Sequence, residues 1–146
     1  MGKLAYVRAG APERTRVRRV LVAFDGSPGA WEALQRGIAI AAAEHALLTV
    51  IAVVPQPSCW IGAGPVAVPC TSESLRRDME RHMLRQLAAA RDEVPATVSV
   101  TTQLIHGKPR RVLTELAESG DYDLIVTSLR GARFRRRRLR APVLRV

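Results

Sequence analysis

The apolar positions of this chain fall into two alternating rhythms. "RRVLVAF" ends in an unbroken, β-branched run, Val20 to Phe24, and stops at "DGSPG". Unbroken runs of this kind fit a parallel strand covered on both faces. Ser27 then stands where a helix cap belongs, with Pro28 at the first helical position, where its missing N–H costs nothing. Trp31, Leu34, Ile38 and Ala42 recur at helical spacing and predict one apolar stripe to about Glu44. "LLTVIAVV", residues 47–54, predicts a second strand, so strand, helix and strand form a right-handed crossover unit.

Residues 55–70, "PQPSCWIGAGPVAVPC", are rich in Pro and Gly and read as a long loop. Loops of that length are often lids or interface elements, and Trp60 is its candidate contact. From Thr71 or Ser72 a second helix is predicted, with Leu75, Met79, Met83, Leu87 and Ala90 as its buried face. Arg77, Arg81 and Arg85 line the opposite side. "TVSVTTQLI", 97–105, alternates and predicts a third strand near a sheet edge. "HGKPRRVLTELAESG" predicts a short helix with Pro109 near its start and Gly120 just past its end. "YDLIVTSL" is the fourth strand. Four strands alternating with three helices predict an α/β fold built on an open, doubly wound parallel sheet. Residues 1–17 read as a basic, flexible arm and 18–146 as one domain. Ligands of such sheets sit beyond the carboxyl ends of the strands, where strand order reverses. "DGS" after strand one and "SLRGA" after strand four are the sequence points that lie there.

Composition narrows the class. A chain of 146 residues with 47% apolar content and mean hydropathy near zero suits one globular domain. No apolar run approaches the ~20 residues that span a bilayer, and the first residues predict no secretory signal. Cys59 and Cys70 have no metal-ligand spacing, which points to a reducing cytoplasm. The net charge of +10 is uneven. Residues 1–19 carry six basic groups and one acid, and residues 128–146 carry eight arginines and no acid. The middle has nine basic groups and twelve acids. A mildly acidic domain with two basic ends argues against a basic DNA-binding fold.

Two readings of Asp25 stand side by side: a nucleotide contact, or a turn residue beside Ser27. "SLRG" can hold an anion on the N–H of Gly131 and on Arg130. "RFRRRR" either grips phosphates or is a solvated helix face, and the second is preferred. Only Phe134 interleaves there, so base stacking has little to work with. His45, His82 and His106 are scattered and form no metal cluster. There is no nucleophile elbow or Walker loop, and "GAGP" at 62–65 is loop punctuation. With no general base beside a nucleophile, no enzyme activity is expected.

Three segments, "RRVLVAFDGSPGAWEAL", "GKPRRVLTELAESGDYDLIVTS" and "APVLRV", together resemble the universal stress protein domain over about residues 18–146. The resemblance implies a five-stranded parallel sheet of order 3-2-1-4-5, often dimeric through its last strand, with ATP bound in many members. It implies that Asp25 contacts the nucleotide and Val53 lines the adenine. Thr127, Ser128, Arg130 and Gly131 would then stand on the phosphate loop after strand four. That loop's pattern is Gly, two residues, Gly, nine residues, Gly, then Ser or Thr, and here it is broken. Ser128 takes the first Gly, Gly131 matches the second, and Ala141 and Pro142 take the last pair. Glycines let such a loop press its N–H groups against phosphate, and proline has no N–H to offer. Ten residues separate Gly131 from Pro142, so the last crossover is clipped. The expectation is a cytoplasmic, homodimeric binding or signalling module for stress response, with weak or lost ATP binding. An ATP- or AMP-binding switch is one alternative. An Arg-rich-tail binder of nucleic acid or anionic surfaces is the other, nucleic acid being the lesser expectation.

Overall fold

The computed structural model describes residues 16–55, 60–61, 65, 68–69, 73–128 and 141–146. In chain order these form β1 (Arg19–Ala23), α1 (Pro28–Glu44), β2 (Leu47–Val54), β3 (Trp60–Ile61) and β4 (Val68–Pro69). Then follow α2 (Glu73–Asp92), β5 (Val100–His106), α3 (Pro109–Ser119), β6 (Leu124–Thr127) and β7 (Val143–Arg145). Five strands make one parallel sheet of order β5-β2-β1-β6-β7. Numbered within that sheet alone, the order is the expected 3-2-1-4-5.

Alternation along each strand feeds two separate cores. Val20, Val22, Leu48, Val50 and Val126 pack under Leu34 and Ile38 of α1 and Leu87 of α2. Leu21, Ile51 and Ile125 point the other way, onto Val112, Leu113 and Ala117 of α3. A right-handed crossover fixes this division. The chain moves outward from β1 through β2 to β5 with its helices on one face. It must then turn back across the sheet to β6, which puts α3 on the other. β1 lies at the centre, with Val20, Leu21 and Val22 fully buried. Its close approach to α1 depends on Gly37, where a Cβ would collide with the Val22 side chain.

Helix ends follow local chemistry. Ser27 caps α1 by accepting the Ala30 N–H, and Pro28 opens the helix. His45 ends α1 in the left-handed region, at φ 54°, donating its N–H to the Ala41 carbonyl. Gly120 closes α3 at φ 81°, as its position predicts.

The structure differs from the sequence reading in four places. On α1 the last buried turn is carried by Ala41, while Ala42 is exposed. On α2 only Leu87 and Ala90 are buried; Met79 and Met83 are half-buried and Leu75 is 51% exposed. The helix is about 30 Å long. His106, at the end of β5, meets Glu80, and Gly26, just past β1, meets Gln86. Residues before Glu80 therefore extend beyond the carboxyl ends of the five-stranded sheet. β5 starts at Val100 because Val98 is still held in a turn by the Pro95 carbonyl. Within the predicted loop, β3 and β4 pair as a short antiparallel ribbon. The arm's residues 1–15, Cys59, Cys70, the Trp60 side chain and the arginine run 133–138 lie outside what is described.

Candidate functional site

Strand order reverses between β1 and β6, and a cavity of about 110 Å³ opens there at the carboxyl ends. Ala23, Phe24 and Asp25 of the β1 flank line it, with Ile51 and Val53 of β2. Pro109 and Leu113 of α3 close one side, and Thr127 and Ser128 of the β6 flank close the other. The sequence candidates Asp25, Val53, Thr127 and Ser128 thus meet in one place. Arg130 and Gly131 lie outside the described residues.

On the β1 flank, Phe24 extends the ladder past the strand by donating its N–H to the Ile51 carbonyl at 2.8 Å. That carries Asp25 to the lip of the cavity. Gly26 then turns the chain at φ 81°. Oδ1 of Asp25 accepts the Ser27 N–H at 2.9 Å, while the Ser27 hydroxyl accepts the Ala30 N–H at 3.2 Å. Asp25 therefore does hold the turn, the plainer of its two readings. Among the described residues Oδ2 has no hydrogen-bond partner. Asp25 is also the one charged group among the described residues that line the cavity. Phe24 is braced from behind by Trp31, ring edge to ring face, with centroids 4.8 Å apart.

On the β6 flank, Thr127 is buried and its carbonyl accepts the Val146 N–H at 3.1 Å. Ser128 is half-buried against the first turn of α1: a Cβ placed on Gly29 would lie 2.9 Å from the Ser128 Cβ. Sequence reasoning missed Gly29. Its signal was a poor helix former placed directly after the helix-opening proline.

The assignment of Ala141 and Pro142 to the last pair of a phosphate cradle is corrected. Both precede β7 and sit at the amino edge of the sheet. Ala141 donates its N–H to the Ala117 carbonyl, and the Pro142 carbonyl accepts the Ile125 N–H. Residues beside the cavity are level with Arg145, the register partner of Thr127. Counting along the pattern carried it past a missing crossover segment and into the next strand. The missing N–H of Pro142 therefore has no bearing on the cavity.

Elsewhere, Glu80 joins His106 (2.7 Å) and Arg76 (3.1 Å), and Arg76 also holds Glu73 at 2.6 Å. Hydrogen bonding by Arg76 lowers the Glu73 pKa. This cluster is mostly exposed. Among the described residues no His, Cys, Asp or Glu group could hold a metal ion, and no helix is long and apolar enough to cross a membrane.

The model of the universal stress protein family matches residues 16–145. A universal stress protein family member from Burkholderia pseudomallei is 26% identical, with a TM-score of 0.70 over 90% of this chain and 97% of its own. A universal stress protein in complex with cAMP is 23% identical, with a TM-score of 0.63 over 90% of this chain and 98% of its own. The universal stress protein of Archaeoglobus fulgidus in complex with dAMP is 18% identical, with a TM-score of 0.63 over 88% and 97%. Among curated proteins none matches.

Proposed function

We propose that this chain, which belongs to the universal stress protein family, is a non-catalytic binding module whose switch-point cavity takes an adenine-type ligand. One observation carries the reading: Asp25, Val53, Thr127 and Ser128, from three different strands, line a single cavity where such sheets bind ligands. Apolar walls suit a flat ring, and one carboxylate at the lip suits its polar end. Structural neighbours in complex with cAMP and dAMP support the choice of base.

Thermal melting with and without ATP–Mg²⁺, AMP and cAMP tests this. A ligand at a hundredfold excess over Kd adds about 2.7 kcal/mol, several degrees for a chain of this size. The shift is expected to disappear in Asp25→Ala. No shift with any adenine compound would overturn the proposal.

The chain is further proposed to work in the cytoplasm as a homodimer joined through β7, which is an edge strand of the sheet. Removal of residues 143–146 is expected to give a monomer in sedimentation, with circular dichroism confirming that the rest folds. A dimer that persists would refute that interface.

A further inference from the structure

We infer that the outer edge of β5 is a docking surface for a second copy of this chain, the two β5 strands pairing antiparallel about Gln103 with their α2 helices side by side.

β5 ends the sheet on the side opposite β7 and pairs with β2. The Leu48 N–H donates to the Ser99 carbonyl, and the Gly107 N–H donates to the Val54 carbonyl. With Leu48 in register with Val100, the odd-numbered residues 99–107 are the ones that bond to β2. Val100, Thr102, Leu104 and His106 turn their N–H and C=O groups outward, and among the described residues no backbone bond reaches that row. The seven residues VTTQLIH hold no proline, lysine, arginine or acid, the devices that normally blunt an edge. β7, by contrast, is three residues long and includes Arg145.

A two-fold axis at Gln103 sets Thr102 opposite Leu104 and Val100 opposite His106. All outward N–H groups then find a carbonyl, four from each copy and eight in all, and no like charges meet across the strands.

α2 points to the same axis independently. It packs over β2 and β5. With strands ~4.8 Å apart, the two α2 axes would lie about 10 Å from each other, an ordinary helix-packing distance. Glu80, hydrogen-bonded to His106, marks the flank of α2 that faces the edge, and Leu84, one turn further on, is 52% exposed. Arg81, Leu84, Ala88 and Asp92 form an exposed stripe there. Laid antiparallel on itself, the stripe sets Arg81 against Asp92 and Leu84 against Ala88, with its centre at about residue 86. Strand geometry leads to nearly the same place. From His106 back to Gln103 is about 10 Å, or about seven residues of α2 past Glu80.

The strand side of this surface is mostly Thr, Gln and backbone, whereas β7 offers Val143 and Leu144. Less apolar area is buried, so the contact is weaker than one through β7 and forms at higher concentration.

The test uses the full chain with Cys59→Ser and Cys70→Ser, carrying either Gln103→Cys or Thr101→Cys. About this axis Gln103 faces itself in a non-hydrogen-bonded pair, with Cα atoms about 4.5 Å apart and within disulfide reach. The two copies of Thr101 are about 14 Å apart, which no disulfide spans. Mild oxidation is expected to link Gln103→Cys chains into dimers and to leave Thr101→Cys chains unlinked. No linkage, or linkage equal at both positions, would overturn the inference. In sedimentation, Leu84→Arg should move this association to about tenfold higher concentration, with the melting temperature unchanged. Association indifferent to Leu84→Arg would take α2 out of the interface and overturn the side-by-side arrangement.

Discussion

The β1 and β6 flanks of the cavity begin alike and end differently. Each is a parallel strand with fully buried residues at its centre, Leu21 in one and Ile125 in the other. Past β1 the chain turns at Gly26, Asp25 accepts the Ser27 N–H, and Ser27 caps a seventeen-residue helix. Past β6, twelve residues, 129–140, separate Ser128 from the amino edge where Ala141 meets Ala117. The first flank is closed by its own hydrogen bonds, whereas the second runs on into residues outside the described ones. The apolar walls of the cavity come from the β1 and β2 ends and from α3.

The largest test of the contrast is at the strand centres. Leu21→Ala should cost about 3 kcal/mol in urea unfolding, within the range for fully buried leucines. Val143→Ala, on the half-buried edge strand β7, should cost less than ~1.5 kcal/mol. Equal costs would mean that β7 is as integral to the sheet as β1.

A smaller effect is expected where the flanks touch. Gly29→Ala would drive a Cβ onto Ser128 and should cost about 1–3 kcal/mol by overpacking. Ser128→Gly in the same chain should recover most of it, giving a coupling of about 1 kcal/mol or more. Additive costs would show that the two side chains do not in fact meet. Within the β1 flank alone, Ser27→Ala removes the cap and should cost about 1 kcal/mol, with no change in the Gly29–Ser128 coupling.

Much of this was legible in the sequence because strands buried on both faces leave a strong trace. "VLVAF" and "LLTVIAVV" admit little else, and Ser27–Pro28 and Gly120 mark helix ends by chemistry that is local. "DGS" and "SLRGA" could be placed together because sheet topology brings strand ends to one edge, whereas Val53 was reached through the resemblance to the universal stress protein domain. What failed depended on distance in space. Leu75 continues the apolar stripe of α2, but periodicity does not say how far the neighbouring sheet extends. Ala141 and Pro142 satisfied a count, yet a count assumes nothing has been deleted between its members. Gly29 mattered through Ser128, ninety-nine positions later in the chain, and no local signal joins them.

The start of α2 provides a control, since it projects past both flanks and carries neither. Arg76 hydrogen-bonds Glu73 and holds its carboxyl below the ordinary glutamate value. The folded chain therefore takes up that proton less readily than the unfolded one. Any stability from the pair is present above about pH 4.3 and is lost as pH falls through the lower folded-state value. Both groups are exposed, so the effect should be the smallest of the set and should fade with salt. Glu73→Gln is expected to match the parent at low pH, to fall slightly short at neutral pH, and to leave the melting shift with adenine compounds unchanged. A deficit that survives high salt, or any loss of ligand, would mean the overhanging turns of α2 are tied to the β1 wall through Gln86 and Gly26. The contrast between the flanks would then extend beyond the strand ends into a third element.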